Sequence, residues 1–534
     1  MHVSTGADFF FIAEESVFMK KIITAADMRR CEAVNFAQGT ADALQLMQCA
    51  GNGCAEELLK IAPCWGEFKR LVIFVGSGNN GGDGVVMASY LAGRINCEIL
   101  LALAMPEKLS DAARYYLERL ESGVTVTAAD QLELQQSDVV VDGLLGSGCH
   151  GVMREPLAGL IKRINASGCR VFALDMPSGL GSDLTIRADF TAVIGFFKRE
   201  LFTAAGIAGS GIMRLVPLEL PIAPEVAEDV PLAADLNFFR QYEQPLERNT
   251  HKYRRGSVLI AGGSAEYFQA PFLSGRAALR SGAGLVRLAL PFAAAAGCGT
   301  LALIPGQVRS AGGSLCAESF SDLEPYLNKI NVIAVGPGMG RSADAGKFIG
   351  ELLSVNKPLL LDADALFAAG SMQNQIRRRN APTLLTPHRG EAENLAAAIK
   401  RTLPADDLSA AKLLAEEFNA TVLLKGARTV IADPSGKSII NTSGTPALAT
   451  AGSGDVLTGA IAAEMCRFSA LTAAARGAFM HGLAGELLEQ YYSESGVIAD
   501  DLPEALAAVR QRLRRSGDIF AEKFLRNNFK FAEI

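Results

Sequence analysis

The stretch 71-LVIFVGSGNNGGDGVVMASYLAGR-94 decides the fold of the first half of the chain. It joins an apolar run, residues 71–75, to a segment beginning at residue 84 in which apolar residues recur at helical spacing. Between the two, Gly76, Gly78 and Gly81 have the G-x-G-x-x-G spacing of a strand–loop–helix unit. The stretch therefore predicts a buried strand, a glycine-rich loop and a helix, in that order.

Three polar residues in this loop argue against a simple pyrophosphate-binding turn. Asn79, Asn80 and Asp83 lie among the glycines, and a carboxylate there would repel the phosphates that bare backbone N–H groups bind. The acid that a dinucleotide site places about 20 residues further on fits poorly, since Glu98 begins the next strand and Glu107 lies well past it. Amides and a carboxylate suit a hydroxylated or amide-bearing group or a hard cation. A turn that merely tolerates Asn and Asp is the alternative.

Short apolar runs alternate with amphipathic segments through both halves of the 534-residue chain. This alternation is typical of βαβ units, in which helices cover both faces of a parallel sheet. It fades in residues 216–236, where a stretch rich in proline and acidic residues indicates a connector. Because the halves share no repeated motif, we predict two different α/β domains, residues 1–225 and residues 226–534.

Composition argues against several classes of protein. A formal net charge of −6 disfavours non-specific nucleic-acid binding, which needs a basic surface. The apolar runs near the start are too short to span a bilayer, and we expect neither a membrane segment nor a targeting segment. The ten cysteines include no C-x-x-C pair and the five histidines are widely spaced. This pattern favours reduced thiols in a cytoplasm and no histidine-based metal site.

Polar side chains follow three of the predicted strands in the first half. Asn80 and Asp83 come after the first of them, Asp142 follows the run "VVV", and Asp175 follows "VFAL". Because ligands of open parallel sheets bind at the carboxyl ends of the strands, we expect these side chains to converge on one crevice. Asp175 would act there as a general base or acid, or else as a turn aspartate that hydrogen-bonds its own backbone.

The stretch "AGSGD", Ala451–Asp455, opens a helix in the second half. The backbone N–H groups of residues 452–454 would bind the oxygens of a phosphoryl group, and Asp455 would accept a proton from an attacking hydroxyl. The stretch lacks G-K-[ST] and is not a P-loop; an ordinary capped helix is the alternative. Lys425 and His388 follow other predicted strands and favour a nucleotide site here.

These motifs, in this order, resemble those of a known family, the bifunctional NAD(P)H-hydrate repair enzymes. In the first half "GNNGGDG", "VDGLLGSG" and "ALDMPSG" resemble its epimerase motifs. In the second half "HKYRRGSVLIAGGS", "GPGMG", "LLDADAL", "TPHRGE", "LLKGART" and "GSGDVLTG" resemble its dehydratase motifs. The resemblance implies a Rossmann-like parallel-sheet epimerase domain fused to a ribokinase-like α/β/α dehydratase domain. It also implies that the first domain interconverts R and S hydrates of NADH and NADPH, and that the second dehydrates the S form while ADP becomes AMP and phosphate.

Carried over residue by residue, the resemblance implies two sets of site residues. The epimerase set binds the hydrate and consists of Asn79, Asn80, Gly81, Gly82, Asp83, Gly146, Ser147, Gly148, Cys149, His150, Gly151, Val152 and the catalytic Asp175. The dehydratase set consists of the hydrate contacts Ala270, Gly338, His388 and the catalytic Asp455, and the nucleotide contacts Lys425, Gly426, Ala427, Arg428, Thr429 and Gly454.

The resemblance also implies the cofactors and partners. A potassium ion is expected in the epimerase domain, bound by Asn80, Asp142 and the Ser178 carbonyl, and Mg²⁺ is expected with ADP in the dehydratase domain. The expected partners are small molecules, namely the hydrates of NADH and NADPH (NADHX and NADPHX) and ADP. Neither nucleic acid nor a membrane is expected as a partner. A cytoplasmic homo-oligomer is expected.

Two other functions stay open on the sequence. A small-molecule kinase of ribokinase-like fold, with a nucleotide-sensing first half, would use the same G-x-G-D chemistry, although "TPHRGE" and "HKYRRG" fit it poorly. The first half would otherwise be only a binding or dimerisation module, which the joint presence of Asn80, Asp142 and Asp175 disfavours. The chain departs from the family pattern at Gln48 and Cys49, and "AGSGD" replaces a more usual glycine and threonine.

Overall fold

The computed structural model describes residues 20–146, 151–224, 226, 230–243, 245–292 and 302–515. These residues form two compact units, which divide between Val230 and Pro231. The predicted domain boundary, between residues 225 and 226, lies a few positions before this division. In the described part of the chain no helix is both long and apolar enough to cross a membrane.

The first unit is built around a seven-stranded parallel sheet. The strands of this unit, inside and outside that sheet, are β1 (Ile22–Ile23), β2 (Arg70–Val75), β3 (Glu98–Leu103), β4 (Val124–Ala128), β5 (Val139–Gly143), β6 (Arg170–Leu174), β7 (Phe190–Ile194), β8 (Phe197–Lys198) and β9 (Ile212–Val216). Its helices are α1 (Ala25–Gln38), α2 (Ala43–Ile61), α3 (Asn79–Leu91), α4 (Asp111–Leu117), α5 (Leu157–Ala166) and α6 (Ala204–Ser210). The strand order is β4-β3-β2-β5-β6-β7-β9, and β1 and β8 form a separate parallel pair.

Strand β2 shows why helices cover both faces of this sheet. Successive side chains of a strand point to opposite faces, and residues 71–75 are all fully buried. Phe74 joins a core cluster with Leu160 and Ile161 of α5, whereas Ile73 faces α3, where a β-carbon on Gly84 would lie 3.2 Å from it. A parallel sheet that is apolar on both faces is the Rossmann-like architecture predicted from the sequence, and that prediction is confirmed.

Close approach of backbones requires the glycines that follow β2. A β-carbon on Gly76 would lie 1.7 Å from the carbonyl oxygen of Leu144, and one on Gly81 would lie 2.2 Å from the carbonyl oxygen of Gly76. Helix α3 already begins at Asn79, so the glycine loop is shorter than predicted and Asp83 lies on the helix. Packing against the chain after β5 therefore requires Gly76, and close approach to Gly76 requires Gly81, whereas a β-carbon on Gly78 would meet nothing within 4 Å.

The second unit is built around a ten-stranded sheet. The strands of this unit, inside and outside that sheet, are β10 (Leu232–Ala234), β11 (Ser257–Ala261), β12 (Leu285–Leu290), β13 (Ile304–Gln307), β14 (Ser310–Ala311), β15 (Ser314–Leu315), β16 (Val332–Val335), β17 (Leu359–Leu361), β18 (Thr383–Leu385), β19 (Thr421–Leu424), β20 (Val430–Ala432) and β21 (Ser438–Asn441). The order is β10-β21-β20-β19-β18-β17-β16-β11-β12-β13, and β14 and β15 form a separate hairpin. Neighbours are parallel except that β20 runs antiparallel to β19 and β21.

Two groups of helices accompany the second sheet. The helices are α7 (Leu236–Tyr242), α8 (Ala270–Arg280), α9 (Ala317–Leu327), α10 (Ala343–Leu353), α11 (Asp364–Ala369), α12 (Gln373–Arg377), α13 (Arg389–Ala398), α14 (Asp407–Phe418), α15 (Ser453–Met465), α16 (Ala470–Tyr492) and α17 (Leu502–Arg515). Helices α8, α15, α16 and α17 pack together, and α9 to α14 form the other group. This is the predicted ribokinase-like α/β/α fold. The predicted connector is wrong at its end, because Leu232–Ala234 pair with β21, which buries Ala233 and Ala234.

A buried ion network holds helix α15 in place. Arg476 of α16 donates to Glu464 of α15 at 2.6 Å and to Glu243, which follows α7, at 2.7 Å. Arg510 of α17 donates to Glu464 at 2.9 Å and to Glu243 at 3.0 Å. Removing one partner of a buried ion pair costs about 3–5 kcal/mol. The network therefore fixes the helix whose N-terminus is the second candidate site.

Candidate functional sites

The carboxyl ends of β2, β5 and β6 lie close together in the first unit, where the sequence predicts a ligand crevice. Asn80, at the start of α3 after β2, links them: its side-chain amide donates to the carbonyl of Leu145 at 2.9 Å and to the carbonyl of Leu174 at 3.2 Å. Leu145 follows β5 and Leu174 ends β6. The amide nitrogen is thus committed to backbone carbonyls, which fixes the direction of the side chain.

Asp142 lies fully buried on β5. Its Oδ2 accepts a hydrogen bond from the Ser178 N–H at 2.7 Å, and its Oδ1 accepts one from the Ser178 hydroxyl at 2.5 Å. Burial raises the pKa of Asp142, and the hydrogen bonds from Ser178 and Leu144 oppose this rise; the net pKa is about 6. Asn80 Oδ1 is also buried and has no hydrogen-bond partner among the described residues. A carboxylate and an orphaned amide oxygen are ligands that a hard cation takes.

Asp175, directly after β6, lies beside a lysine that the sequence analysis missed. Its φ of 61° is in the left-handed region, which non-glycine residues occupy only at a cost and often at functional sites. The carboxylate Oδ1 accepts a hydrogen bond from the Ile194 N–H at 3.1 Å and another from the ammonium of Lys198, which is fully buried. The only sequence signal was a lone lysine ending the apolar run "AVIGFFK".

Other carboxyl groups share this region of the first unit. Burial raises the pKa of Asp83 well above its ordinary value, and the charges of Asp175 and Glu32 raise it further, while Lys198 lowers it. Burial also raises the pKa of Glu32, which the Lys198 charge lowers and the Asp175 charge raises. A carboxyl group that holds its proton close to a carboxylate beside an ammonium suits proton transfer in both directions.

The remaining predicted epimerase residues surround this crevice only in part. Gly81 and Gly82 are buried in the first turns of α3, whereas Asn79 is exposed. A β-carbon on Gly146 would lie 3.6 Å from the Asn80 β-carbon, so that residue borders the crevice. Ser147, Gly148, Cys149 and His150 lie outside the described residues. Beyond them, Gly151 and Val152 are exposed, and the Gly151 carbonyl accepts the N–H of Asp183 at 3.1 Å.

The second candidate site is the N-terminus of helix α15. Gly452 caps the helix with a φ of 86°, and Asp455 lies in its first turn. The N–H of Ser453 already donates to the Thr450 carbonyl at 3.3 Å. A β-carbon on Gly454 would lie 3.8 Å from Lys425 Nζ. An ammonium beside a helix N-terminus is a strong site for a phosphate anion.

A hydrogen-bonded network positions Lys425. Its Nζ donates to Asp362 Oδ1 at 2.8 Å, and Thr458 and Thr386 donate to the same carboxylate at 2.5 and 2.7 Å. Burial raises the pKa of Asp362, but Lys425 and the threonines outweigh it and hold that pKa below its ordinary value. The motif "LLDADAL" was recognised in the sequence, yet this role for Asp362 depends on residues distant in the chain.

Asp455 has the properties of a general base. Its pKa is raised to about 7, mainly by burial and then by the charge of Asp362, while the charge of Lys425 opposes the rise. A group whose pKa lies near the operating pH is available as a carboxylate and is basic enough to accept a proton. The predicted catalytic aspartate therefore lies at the same helix N-terminus as the predicted phosphate-binding lysine.

The predicted hydrate contacts of the second unit lie on neighbouring elements. Ala270 begins α8, and a β-carbon on Gly338 would lie 3.1 Å from the Ala270 β-carbon. His388 caps helix α13: its Nδ1 accepts the N–H groups of Gly390 at 3.1 Å and Glu391 at 3.3 Å. Its side chain stays 60% exposed, and its backbone bridges to that of Lys425. The histidine is therefore both a cap and open to a ligand.

The predicted nucleotide contacts differ in exposure. Gly426 and Ala427 are exposed beside Lys425, whereas Arg428 and Thr429 are buried. The Arg428 Nη1 donates to the Thr442 carbonyl at 3.5 Å, and the Thr429 hydroxyl donates to the Gly426 carbonyl at 3.2 Å. The backbone of Gly426 and Ala427 thus offers more contact surface to a ligand than the side chains of Arg428 and Thr429.

Comparison with known proteins assigns both units. Residues 43–200 match the family model described as YjeF-related protein N-terminus, and residues 258–508 match the model described as NAD(P)H-hydrate dehydratase. The bifunctional NAD(P)H-hydrate repair enzyme Nnr of Thermofilum pendens is 34% identical over 462 residues, 82% of this chain and 88% of that protein. The chain belongs to the family of bifunctional NAD(P)H-hydrate repair enzymes. The family member from Synechocystis sp. is also 34% identical, over 94% of this chain and 97% of its own length.

A solved structure is similar to about half of this chain. It is the ADP/ATP-dependent NAD(P)H-hydrate dehydratase from Bacillus subtilis co-crystallized with ATP/Mg²⁺, which is 25% identical, with a TM-score of 0.42. The match covers 54% of this chain and 100% of that one.

A buried histidine of the second unit was also missed in the sequence. His481 of α16 lies with its Nε2 3.2 Å from the Ser453 hydroxyl at the start of α15. Burial lowers the pKa of His481 to about 4, so the ring is neutral at physiological pH. Its only sequence signal was a histidine inside the apolar helical run "AFMHGLAG".

Proposed function

We propose that this chain repairs hydrated NADH and NADPH with two active sites on one polypeptide. The first unit interconverts the R and S hydrates, and the second dehydrates the S form while ADP becomes AMP and phosphate. The observation that carries the proposal is the N-terminus of α15, where Asp455, with a pKa that burial raises to about 7, lies close to the Lys425 ammonium. Membership of the repair-enzyme family over most of the chain supports it.

In the second unit the carbinol hydroxyl of the hydrate attacks the terminal phosphoryl group of ADP. Asp455 accepts the hydroxyl proton as the new O–P bond forms, and AMP leaves. Lys425 and the N–H groups at the start of α15 stabilise the negative charge of the transferred group. The lone pair of the ring nitrogen then expels phosphate from the carbinol carbon, and loss of a ring proton restores the reduced nicotinamide.

Mg²⁺ would enter this site on the phosphates of ADP. The described residues contain no group of three or more His, Cys, Asp or Glu side chains that could hold a metal ion. Magnesium commonly binds through substrate phosphates with few protein ligands, so this residue set fits delivery with the nucleotide. When bound, the ion neutralises phosphate charge.

In the first unit Asp175 takes the proton of the carbinol hydroxyl. The C–N bond of the carbinolamine opens to an aldehyde, and the ring nitrogen keeps the electron pair and takes a proton from Asp83. Reclosure on the opposite face of the aldehyde returns both protons and gives the other epimer. Asp83 suits the acid role because burial raises its pKa well above the ordinary value.

Asn80, Asp142 and the Ser178 carbonyl would hold a potassium ion beside this crevice. The fit rests on Asn80 Oδ1, which is buried without a hydrogen-bond partner among the described residues, and on the fully buried carboxylate of Asp142. When bound, the ion supplies a fixed positive charge near the hydrate. The cytoplasmic location and the homo-oligomer stay predictions from the sequence.

The proposal is tested with a mixture of both hydrate epimers, ADP, Mg²⁺ and K⁺. Reduced nicotinamide, read by its absorbance, should form from the whole mixture, with AMP and phosphate in equal amounts. A chain whose first half only binds ligand would stop after the S fraction, apart from slow spontaneous epimerisation. A kinase that acts on a different alcohol would leave the hydrates unconverted and form no reduced nicotinamide, and that result would refute the proposal.

A further inference from the structure

Lys198 is a fully buried cation in the first unit. It ends β8, which pairs in parallel with β1, the strand directly before helix α1. Its ammonium donates to the Asp175 carboxylate and, at 2.6 Å, to the carbonyl of Ile194. Desolvating an ammonium is costly, and an apolar pair of similar volume is often as stable as a buried ion pair. Stability alone therefore does not account for a lysine at this position.

The contacts of Asp175 indicate what the lysine does. Its backbone N–H donates to the Ala192 carbonyl at 2.8 Å, which fixes the residue in its left-handed conformation. Within the described part of the chain, the hydrogen bonds of its carboxylate, from Lys198 and from the Ile194 N–H, both go to Oδ1. One oxygen is thus anchored and Oδ2 is left for a ligand, with the side chain still 16% exposed.

We propose that Lys198 is a positioning residue for the acid–base chemistry of Asp175: it anchors Oδ1 so that Oδ2 meets the carbinol hydroxyl. This inference rests on the proposed epimerase function. The charge of Lys198 also lowers the pKa values of Glu32 on α1, Asp83 on α3 and Cys54 on α2, which burial raises. The lysine supplies the positive charge that lets several acidic groups share one buried region.

The test measures epimerisation by the full chain in the absence of ADP, which leaves the second unit idle. An R-enriched hydrate is supplied, and its approach to the R/S equilibrium is followed by chromatography. Lys198→Met, which keeps the side-chain length but removes charge and donors, should lower kcat by about 10²-fold or more. KM should stay nearly unchanged, because Oδ2, which the anchoring of Oδ1 positions, acts in the transition state.

Arg70→Met is the matched structural control. Arg70 donates to the buried Asp138 at 2.5 Å at the start of β2, the end of the sheet away from the crevice. Its loss should lower the thermal transition as the loss of Lys198 does, yet leave kcat at the wild-type value. If both variants lose kcat in proportion to stability, Lys198 has only a structural role and the inference is wrong.

A double variant separates positioning from packing. Once Asp175→Asn has removed the base, adding Lys198→Met should cause little further loss of kcat, because the lysine acts through that carboxylate. Additive losses would overturn the inference. If Lys198→Met does not fold, Lys198→Gln, which keeps donors without charge, is judged by the same criteria. A wild-type chain that fails to accelerate epimerisation would refute the proposed function itself, a result distinct from normal kcat in the lysine variants.

Discussion

Lys425 Nζ lies 2.8 Å from Asp362 Oδ1, and the same carboxylate accepts a hydrogen bond from the Thr458 hydroxyl at 2.5 Å. Asp362 follows β17, Lys425 follows β19, and Thr458 lies on α15. The carboxylate therefore ties two strand ends to the helix that carries Asp455. The ammonium is fixed beside the helix N-terminus before any ligand binds, so it loses little side-chain entropy on meeting a phosphate.

The first prediction concerns this ammonium. Lys425→Met should raise the KM for ADP by about 10- to 100-fold, since hydrogen bonds to charged groups contribute about 1.5–3 kcal/mol. Initial rates of reduced nicotinamide formation over a range of ADP concentrations measure the change. Lys347→Met is the control, because Lys347 also pairs with an aspartate, Asp344 at 2.9 Å, but on the exposed surface. Equal effects in the two variants would argue against a phosphate contact.

The second prediction concerns the base of the dehydratase. The pKa of Asp455 is about 7 because burial and the charge of Asp362 raise it, and only the carboxylate form accepts a proton. The kcat/KM of dehydration should therefore rise with pH through about 7 and level off above it. Asp455→Asn should lower kcat by about 10²- to 10⁴-fold and remove this rising limb. A variant that kept the limb would show that another group is the base.

The sequence predicted the overall fold because the fold depends on local patterns. The buried run of β2 and the helix after it follow from alternation within 24 residues of sequence, and the same pattern recurs in the second half. What it placed wrongly depends on tertiary packing. Helix α3 starts at Asn79, and its first turn brings Gly81 against the Gly76 carbonyl, a contact that no local propensity reports.

The candidate site was predictable where a motif marked it, and not where a partner did. Asp175 and Asp455 each follow recognisable stretches, "VFAL" and "AGSG". Lys198 pairs with an aspartate 23 positions away, and Asp362 with a lysine 63 positions away. Only the order of the strands in each sheet brings such residues together. A buried lysine and a buried histidine in apolar runs were the one available signal, and core packing produces that signal too.

The third prediction links the same aspartate to stability. The pKa of Asp455 in the folded chain, about 7, lies above its ordinary value of 3.8. A raised pKa favours the folded state while the group is protonated, and this contribution is lost as the pH rises from about 4 to about 7. Without nucleotide, Asp455→Asn should match wild type near pH 4 and be more stable at pH 8, by about 4 kcal/mol.

Denaturant unfolding at both pH values measures that difference. The transition to follow is the one that ADP shifts, because a ligand stabilises the unit that binds it. Other titrating groups are common to both proteins, so the difference isolates Asp455. An equal gain in stability at pH 4 and pH 8 would mean that the carboxylate is not the source.

The last prediction concerns the orphaned oxygen of Asn80. If it is a potassium ligand, K⁺ should stabilise the first unit, because a ligand bound only to the folded state adds free energy of unfolding. At about 100 times its Kd the ion should raise the thermal transition by about 5 °C or more, compared with tetramethylammonium chloride at equal ionic strength. Asn80→Ala should abolish this shift. Asn79→Ala, one position away and exposed, should keep the thermal shift. A K⁺ shift that survives Asn80→Ala would exclude Asn80 as a ligand.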